Sequence, residues 1–214
     1  RHNHLIASIA DLNNLYLAFC KASKGKGDKL EVISYSKSVK INMRILRDEI
    51  MSGAVRVGSY HYFTIYDPKE RVICAASFQE RVLHHALMNI CHGIFEAYQI
   101  YDSYATRPEK GTYAALNRAR KYHKNHRWFL KLDIRKYFDS IDHNVLLHLL
   151  SRRFKDKKLL HIFSLIVKSY EKNPGKGLPI GNLTSQYFAN YYLAFLDRYI
   201  KEDLKIKYYI RYMD

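Results

Sequence analysis

The chain has 214 residues, 48% of them hydrophobic and 14% aromatic, which allows a substantial buried core and excludes a disordered polar segment. Its apolar runs are short and interrupted, so it reads neither as a membrane span nor as a secretory leader, and Arg1 in place of Met points to a trimmed N-terminus. A formal net charge of +16 makes a polyanion the expected partner.

In chain order, residues 4–22 and 33–52 carry helical patterns, separated by the basic loop "KASKGKGDK". "AVRVGSYHYFTIYDPKERVICA" alternates on both sides of Asp67-Pro68 and predicts a hairpin, with Lys69 and Arg71 just past its corner. From Gln79 to Tyr98 a stripe of Val82, Leu83, Ala86, Leu87, Ile90 and Ile94 predicts a buried helix face. A loop over 102–111 precedes a helix from about Thr112 to Lys124. "RWFLKLDI" then predicts a strand with Trp128, Leu130, Leu132 and Ile134 on one face, and Phe129, Lys131 and Asp133 on the other. Asp142 is placed to cap "HNVLLHLLSRRF". Another helix near 157–170, the glycine-rich "NPGKGLPIGN" and a helix striped with Phe188, Tyr191, Tyr192, Phe195, Leu196 and Tyr199 follow. The last residues, "KYYIRYMD", alternate as a strand, with Ile206, Tyr208, Ile210 and Tyr212 sharing a face.

The charge is concentrated. Residues 105–136 hold ten lysines and arginines against Glu109 and Asp133, with aromatic rings interleaved, a composition suited to phosphates and stacked bases. No basic amphipathic helix with a clean apolar face favours an anionic membrane instead. Cys20, Cys74 and Cys91 lie far apart in apolar surroundings, as reduced thiols of a cytoplasmic protein do. The histidines offer no trustworthy ligand set, and no zinc site is expected.

Two aspartates stand out by position: Asp133 late in one predicted strand and Asp214 at the tip of another. Carboxylates on adjacent strand ends can hold two divalent cations for phosphoryl transfer, although a turn cap or a surface charge explains either one alone. Their company distinguishes them. "FLKLDIRKYFDSIDH", "GLPIGNLTSQYFANYYL" and the terminal "YMD", in this order, resemble the palm of reverse transcriptases. "DPKERVI" resembles their fingers motif, and "DSYATRPEKGTYAAL" the start of the palm in bacterial members such as group II intron enzymes. Within these, "IGNLTSQ" and "LAFCKASKGK" are most similar to the reverse transcriptases of diversity-generating retroelements.

The resemblance implies an α+β fold: the fingers and palm of a right-hand polymerase, an antiparallel palm sheet packed on helices, and no thumb. It would divide the chain into a helical extension over 1–54, fingers and the start of the palm over 55–127, and palm over 128–214, ending within the YxDD hairpin. It also implies an RNA-directed DNA polymerase that copies template RNA into cDNA, with elevated error, in mutagenic retrohoming. Its partners would be template RNA, nascent cDNA, deoxynucleoside triphosphates and a small basic accessory protein, with no membrane. A group II intron or retron enzyme, or a non-catalytic RNA-binding fragment, is the alternative.

Position by position, Asp133, Asp214 and the carbonyl of Ile134 would bind two Mg2+ ions, with Mn2+ as a substitute. Lys69 and Arg71 would neutralise the incoming triphosphate, unless they are simply exposed hairpin charges. Phe138 matches the steric gate against a 2′ hydroxyl, with a core aromatic as the alternative, and Tyr137 reads as core. Ile180 and Gly181 would line the nucleotide. Ile180 stands where most relatives carry a glutamine, and an aliphatic side chain loses hydrogen bonds that depend on pair geometry; simple packing under the fingers is the alternative. Arg107, Lys110, Ser185 and Gln186 would contact the template, with an internal salt bridge as the alternative for Arg107. Asp139 and Asp142 read as helix-capping acids.

Overall fold

The computed structural model describes residues 2–66, 70–124 and 126–214. The N-terminal part is helical: α1 (Ile6–Ile9), α2 (Leu12–Ser23), α3 (Leu30–Lys37) and α4 (Val39–Ser52). Each end has a local cause. Asp11 accepts from the amides of Asn13 and Asn14 to start α2, and Gly53, in a left-handed conformation at φ 83°, closes α4.

The hairpin follows as β1 (Tyr60–Ile65) and β2 (Arg71–Ala76), antiparallel with Tyr62 opposite Cys74. Its expected turn at Asp67-Pro68 lies outside the described residues. Helix α5 (Phe78–Glu96) begins at Ser77, whose side chain accepts from the Glu80 amide, and it carries the centre of the core. Val82, Leu83, Ala86, Leu87 and Cys91 on its inner stripe are buried, and α1, α2, α3 and α10 pack around it.

The remaining helices are α6 (Thr112–His123), α7 (Tyr137–Ser140), α8 (His143–Arg153), α9 (Lys157–Lys168) and α10 (Leu183–Arg198), the last running into a π-helical turn at Tyr199–Asp203. Asp142 caps α8 as expected. Asp156 does double duty: one oxygen caps α9 through Leu159, while the other takes the amides of Leu5 and Ile6 at 2.8 and 3.1 Å. At the end of α5, Phe95 meets Phe154, Phe188 and Tyr191 with ring centroids 5.4, 6.2 and 5.4 Å away.

The sheet differs from expectation. Among the described residues, only β1 and β2 form a ladder. Residues 128–134 belong to no strand, and Trp128, Leu130 and Leu132 are 90%, 81% and 76% exposed rather than half-buried. The chain end is bonded elsewhere. Arg211 donates its amide to Asp102 and offers its carbonyl to Tyr104, forming a single bridge to Ser103. The segment expected to line up in a palm sheet is therefore paired with the loop before α6, and its buried member is Arg211, while Ile206, Tyr208 and Tyr212 stay exposed. Among the described residues, no helix is long and apolar enough to cross a membrane.

Candidate active site

The site is organised by the glycine-rich loop between α9 and α10. Its N-terminal half turns on itself, the amide of Lys176 donating to Asn173 at 2.9 Å. Next it laces onto the α7–α8 junction: Gly177 donates to Ile141 and Leu178 to Phe138, both at 2.9 Å. Buried His143 adds a bond from its Nε2 to the Gly177 carbonyl at 2.7 Å. The C-terminal half crosses to the hairpin. Cys74 donates its amide to the Ile180 carbonyl at 2.8 Å, and Ala76 donates to Asn182 Oδ1 at 3.3 Å.

This crossing explains Gly181. Its φ of +115° is disfavoured for L residues, and a Cβ there would lie 2.8 Å from Cγ2 of Ile73. One loop thus joins β2, which begins at exposed Arg71, to α7, which carries half-buried Phe138 and the buried Tyr137. Tyr137 donates to the Ala189 carbonyl at 2.6 Å and so fastens α7 to α10. Burial raises its phenol far above the usual range, and the negative charges of Asp197 and Asp214 add to the rise against the lowering by Arg211. Helix α7 begins four residues after Asp133 in the chain. The carboxylates of Asp133 and Asp214 are both exposed, and neither forms an ion pair among the described residues.

The expected template positions divide. Arg107 donates to both oxygens of Glu96 at 2.5 to 3.0 Å and to the carbonyls of Ile100 and Ser103, so its guanidinium is committed inside the fold. The internal ion pair, the alternative weighed for Arg107, is therefore present. Ser185, 2% exposed on α10, is likewise turned inward, while Gln186 beside it is half-buried. Lys110 donates to the Tyr101 carbonyl at 3.0 Å and sits 3.4 Å above that ring, at a cleft shared with Arg118 and Lys121. Lys69 lies outside the described residues.

Two buried polar clusters brace the site, and sequence reasoning missed both. Asp197, fully buried on α10, receives Arg211 in a two-pronged pair and Tyr209 at 2.7 Å. Asp102 receives Arg118, Lys201 and Tyr122 at 2.8, 2.9 and 3.0 Å. Burial alone would raise the Asp102 carboxyl, but these donors outweigh it and hold it below the usual carboxylate range. The striped pattern gave no signal for the first cluster, because Asp197 lies on the face of α10 opposite Phe188, Tyr192 and Phe195, beside Asn190 and Ala194, which the fold also buries.

Residues 67–214 match the family model described as reverse transcriptase (RNA-dependent DNA polymerase). The chain belongs to the reverse transcriptase family. Group II intron-encoded protein LtrA of Lactococcus lactis subsp. cremoris is 30% identical over 65% of this reverse transcriptase chain and 24% of its own length. A putative COX1/OXI3 intron 2 protein of Saccharomyces cerevisiae is 25% identical over 94% of the chain and 25% of its own length. Protein YkfC of Escherichia coli strain K12 is 25% identical over 76% of the chain and 46% of its own length. The chain thus spans about a quarter of the first two relatives and under half of the third.

Family members of this kind work with divalent metal ions. The donors expected from the sequence, the carboxylates of Asp133 and Asp214 and the carbonyl of Ile134, would be hard oxygen ligands of the kind that Mg2+ accepts, and neither carboxylate forms an ion pair among the described residues. Among the described residues no three histidines, cysteines or acids converge, so protein side chains alone do not close a cage.

Proposed function

We propose that this chain is the fingers and palm of an RNA-directed DNA polymerase that copies template RNA into cDNA with elevated error, in mutagenic retrohoming of a diversity-generating retroelement. The observation that supports the reading is the bonding of the Ile180-Gly181-Asn182 loop to β2, which brings the backbone of Ile180 onto the hairpin.

Each residue then has a task. Asp133, Asp214 and the carbonyl of Ile134 would hold two Mg2+ ions, which lower the cost of charge on the attacking 3′ oxygen and the leaving pyrophosphate. Arg71, exposed at the start of β2, meets the triphosphate together with Lys69. Phe138 lies under the sugar and excludes a 2′ hydroxyl. Gly181 lets the backbone come close to the nucleotide. Ile180 makes no hydrogen bond that would test pair geometry, so discrimination between right and wrong nucleotides weakens. Lys110 and Gln186 would contact the template, the +16 charge suits template RNA and cDNA, and a small basic accessory protein would join through that nucleic acid.

A second reading, a group II intron type reverse transcriptase, is favoured by the relatedness to the intron-encoded proteins named above. One experiment separates the readings: primer extension on an RNA template with Mg2+ by the full-length protein and its Asp133→Ala variant, with the products sequenced. Extension lost in the variant, with frequent misincorporation by the parent, supports the proposal. Faithful extension favours the intron type, and RNA binding without extension overturns polymerase function.

A further inference from the structure

Asn182 occupies the N-cap position of α10, with extended φ and ψ of −91° and 142°, yet its side chain makes no capping bond. Asparagine is among the best capping residues, and Asp11, Ser77, Asp142 and Asp156 do cap their own helices. Asn182 instead reaches across 106 positions of sequence to the amide of Ala76. The assignment of the two amide atoms is forced: the Ala76 N–H is a donor, so Oδ1 must face it. Asn182 is 3% exposed, and its Nδ2 has no partner among the described residues.

The site of that bond matters. Strand amides alternate in direction, so those of residues 74 and 76 point to the same edge of β2, away from β1. The first meets the carbonyl of Ile180, and the second meets the side chain of Asn182. Between them Gly181 takes its positive φ against Ile73. Two successive rungs of a sheet edge are thus filled, one by backbone and one by a side chain standing in for backbone. A single rung would let the loop pivot about the Ile180 carbonyl; the second prevents it.

We propose that Asn182 is a positioning residue, a side-chain rung that fixes the register of the nucleotide loop against the fingers strand and so the placement of Ile180 and Gly181. This rests on the polymerase reading above and extends it to a residue that touches neither metal nor nucleotide. Asp133 and Asp214 are held by other segments, so loss of the rung loosens nucleotide binding more than the chemical step.

The test uses the full-length protein with Asn182→Ala and Asn182→Asp. The aspartate keeps an acceptor for Ala76 at the same size, and burial favours its neutral, protonated form, which resembles the amide. Amide hydrogen exchange over residues 72–77 and steady-state extension on an RNA template are measured together. The expected result for Asn182→Ala is exchange at Ala76 faster by roughly fivefold and a similar rise in KM for the nucleotide, with kcat within about twofold, the scale of one lost hydrogen bond. Asn182→Asp should match the parent in both. Unchanged exchange in Asn182→Ala, a fall in kcat at constant KM, or equal damage in both variants overturns the proposal. If the parent extends no primer, the polymerase reading fails while the exchange comparison still decides whether Asn182 holds the loop.

Discussion

Arg211 lies across the fully buried carboxylate of Asp197, with Nε 2.8 Å from Oδ1 and Nη2 2.8 Å from Oδ2. Asn190 supplies a third partner, its Oδ1 accepting from Nη1 at 3.1 Å. A buried pair gains little over a well-packed apolar pair, but removing one member strands the other charge at about 3–5 kcal/mol. Arg211→Ala and Asp197→Asn should each lower unfolding free energy on that scale, and their combination should cost much less than the sum. Arg211→Lys should not rescue, because an ammonium cannot make the two-pronged bond. Urea unfolding of the parent and the four variants checks this.

Glu80 and His84 face each other at 3.5 Å, both buried. Burial pushes the Glu80 carboxyl up to about 7, against the lowering by the amides of Gly58 and Ser59; burial, then His85, takes His84 down to about 3. Tyr60 also feels the Glu80 charge. From pH 4.5 to 7 native Glu80 keeps a proton that the unfolded chain has lost, so its contribution falls as pH rises. From pH 3 to 6.5 native His84 refuses a proton that the unfolded chain holds, so its contribution rises with pH. The two slopes oppose in the shared window. Glu80→Gln should therefore make stability climb more steeply between pH 4.5 and 6.5 than in the parent, by up to about 1.4 kcal/mol per pH unit. Thermal unfolding across that range would refute the assignment if the parent and variant curves ran parallel.

Gly181→Ala combines an unfavourable φ with a Cβ pressed against Ile73. A loss of about 1–3 kcal/mol is expected. Adding Ile73→Ala should recover the contact portion and leave the backbone portion, so the double variant should be less unstable than the two single losses predict. A double-mutant cycle by chemical denaturation measures the difference.

Asp133 is exposed and unpaired among the described residues, so Asp133→Asn should leave the melting temperature within about 1–2 °C while abolishing primer extension. A variant that melts early as well as losing activity would point to a structural role instead.

Ile180→Gln restores a polar side chain beside β2. Misincorporation should fall by several-fold with little change in stability, since Ile180 is only half-buried. An unchanged error spectrum would remove Ile180 from the account of fidelity.

Much of the helical frame was legible because its cues are local. The stripe on α5, the cap at Asp142 and the alternation across β1 and β2 each need only neighbours in sequence. What was not legible depends on choices between distant partners. "RWFLKLDI" and "KYYIRYMD" both alternate as strands do, yet the second bonds to Asp102 and Tyr104 and leaves the first alone. Arg107 was readable as a phosphate ligand or an ion pair until Glu96 was seen beside it. Asn182 went unremarked in the sequence, and only the hairpin's position reveals its engagement with Ala76.

The open stretch at Trp128–Leu132 has a practical side. Four large apolar side chains, Trp128, Phe129, Leu130 and Leu132, are exposed on this unpaired stretch and form an adhesive edge, able to recruit the same edge of another molecule. Arg127, Lys131, Arg135 and Lys136 act against this by mutual repulsion, which salt screens. Solubility should therefore worsen as ionic strength rises, opposite to a protein whose association is driven by attraction between charges.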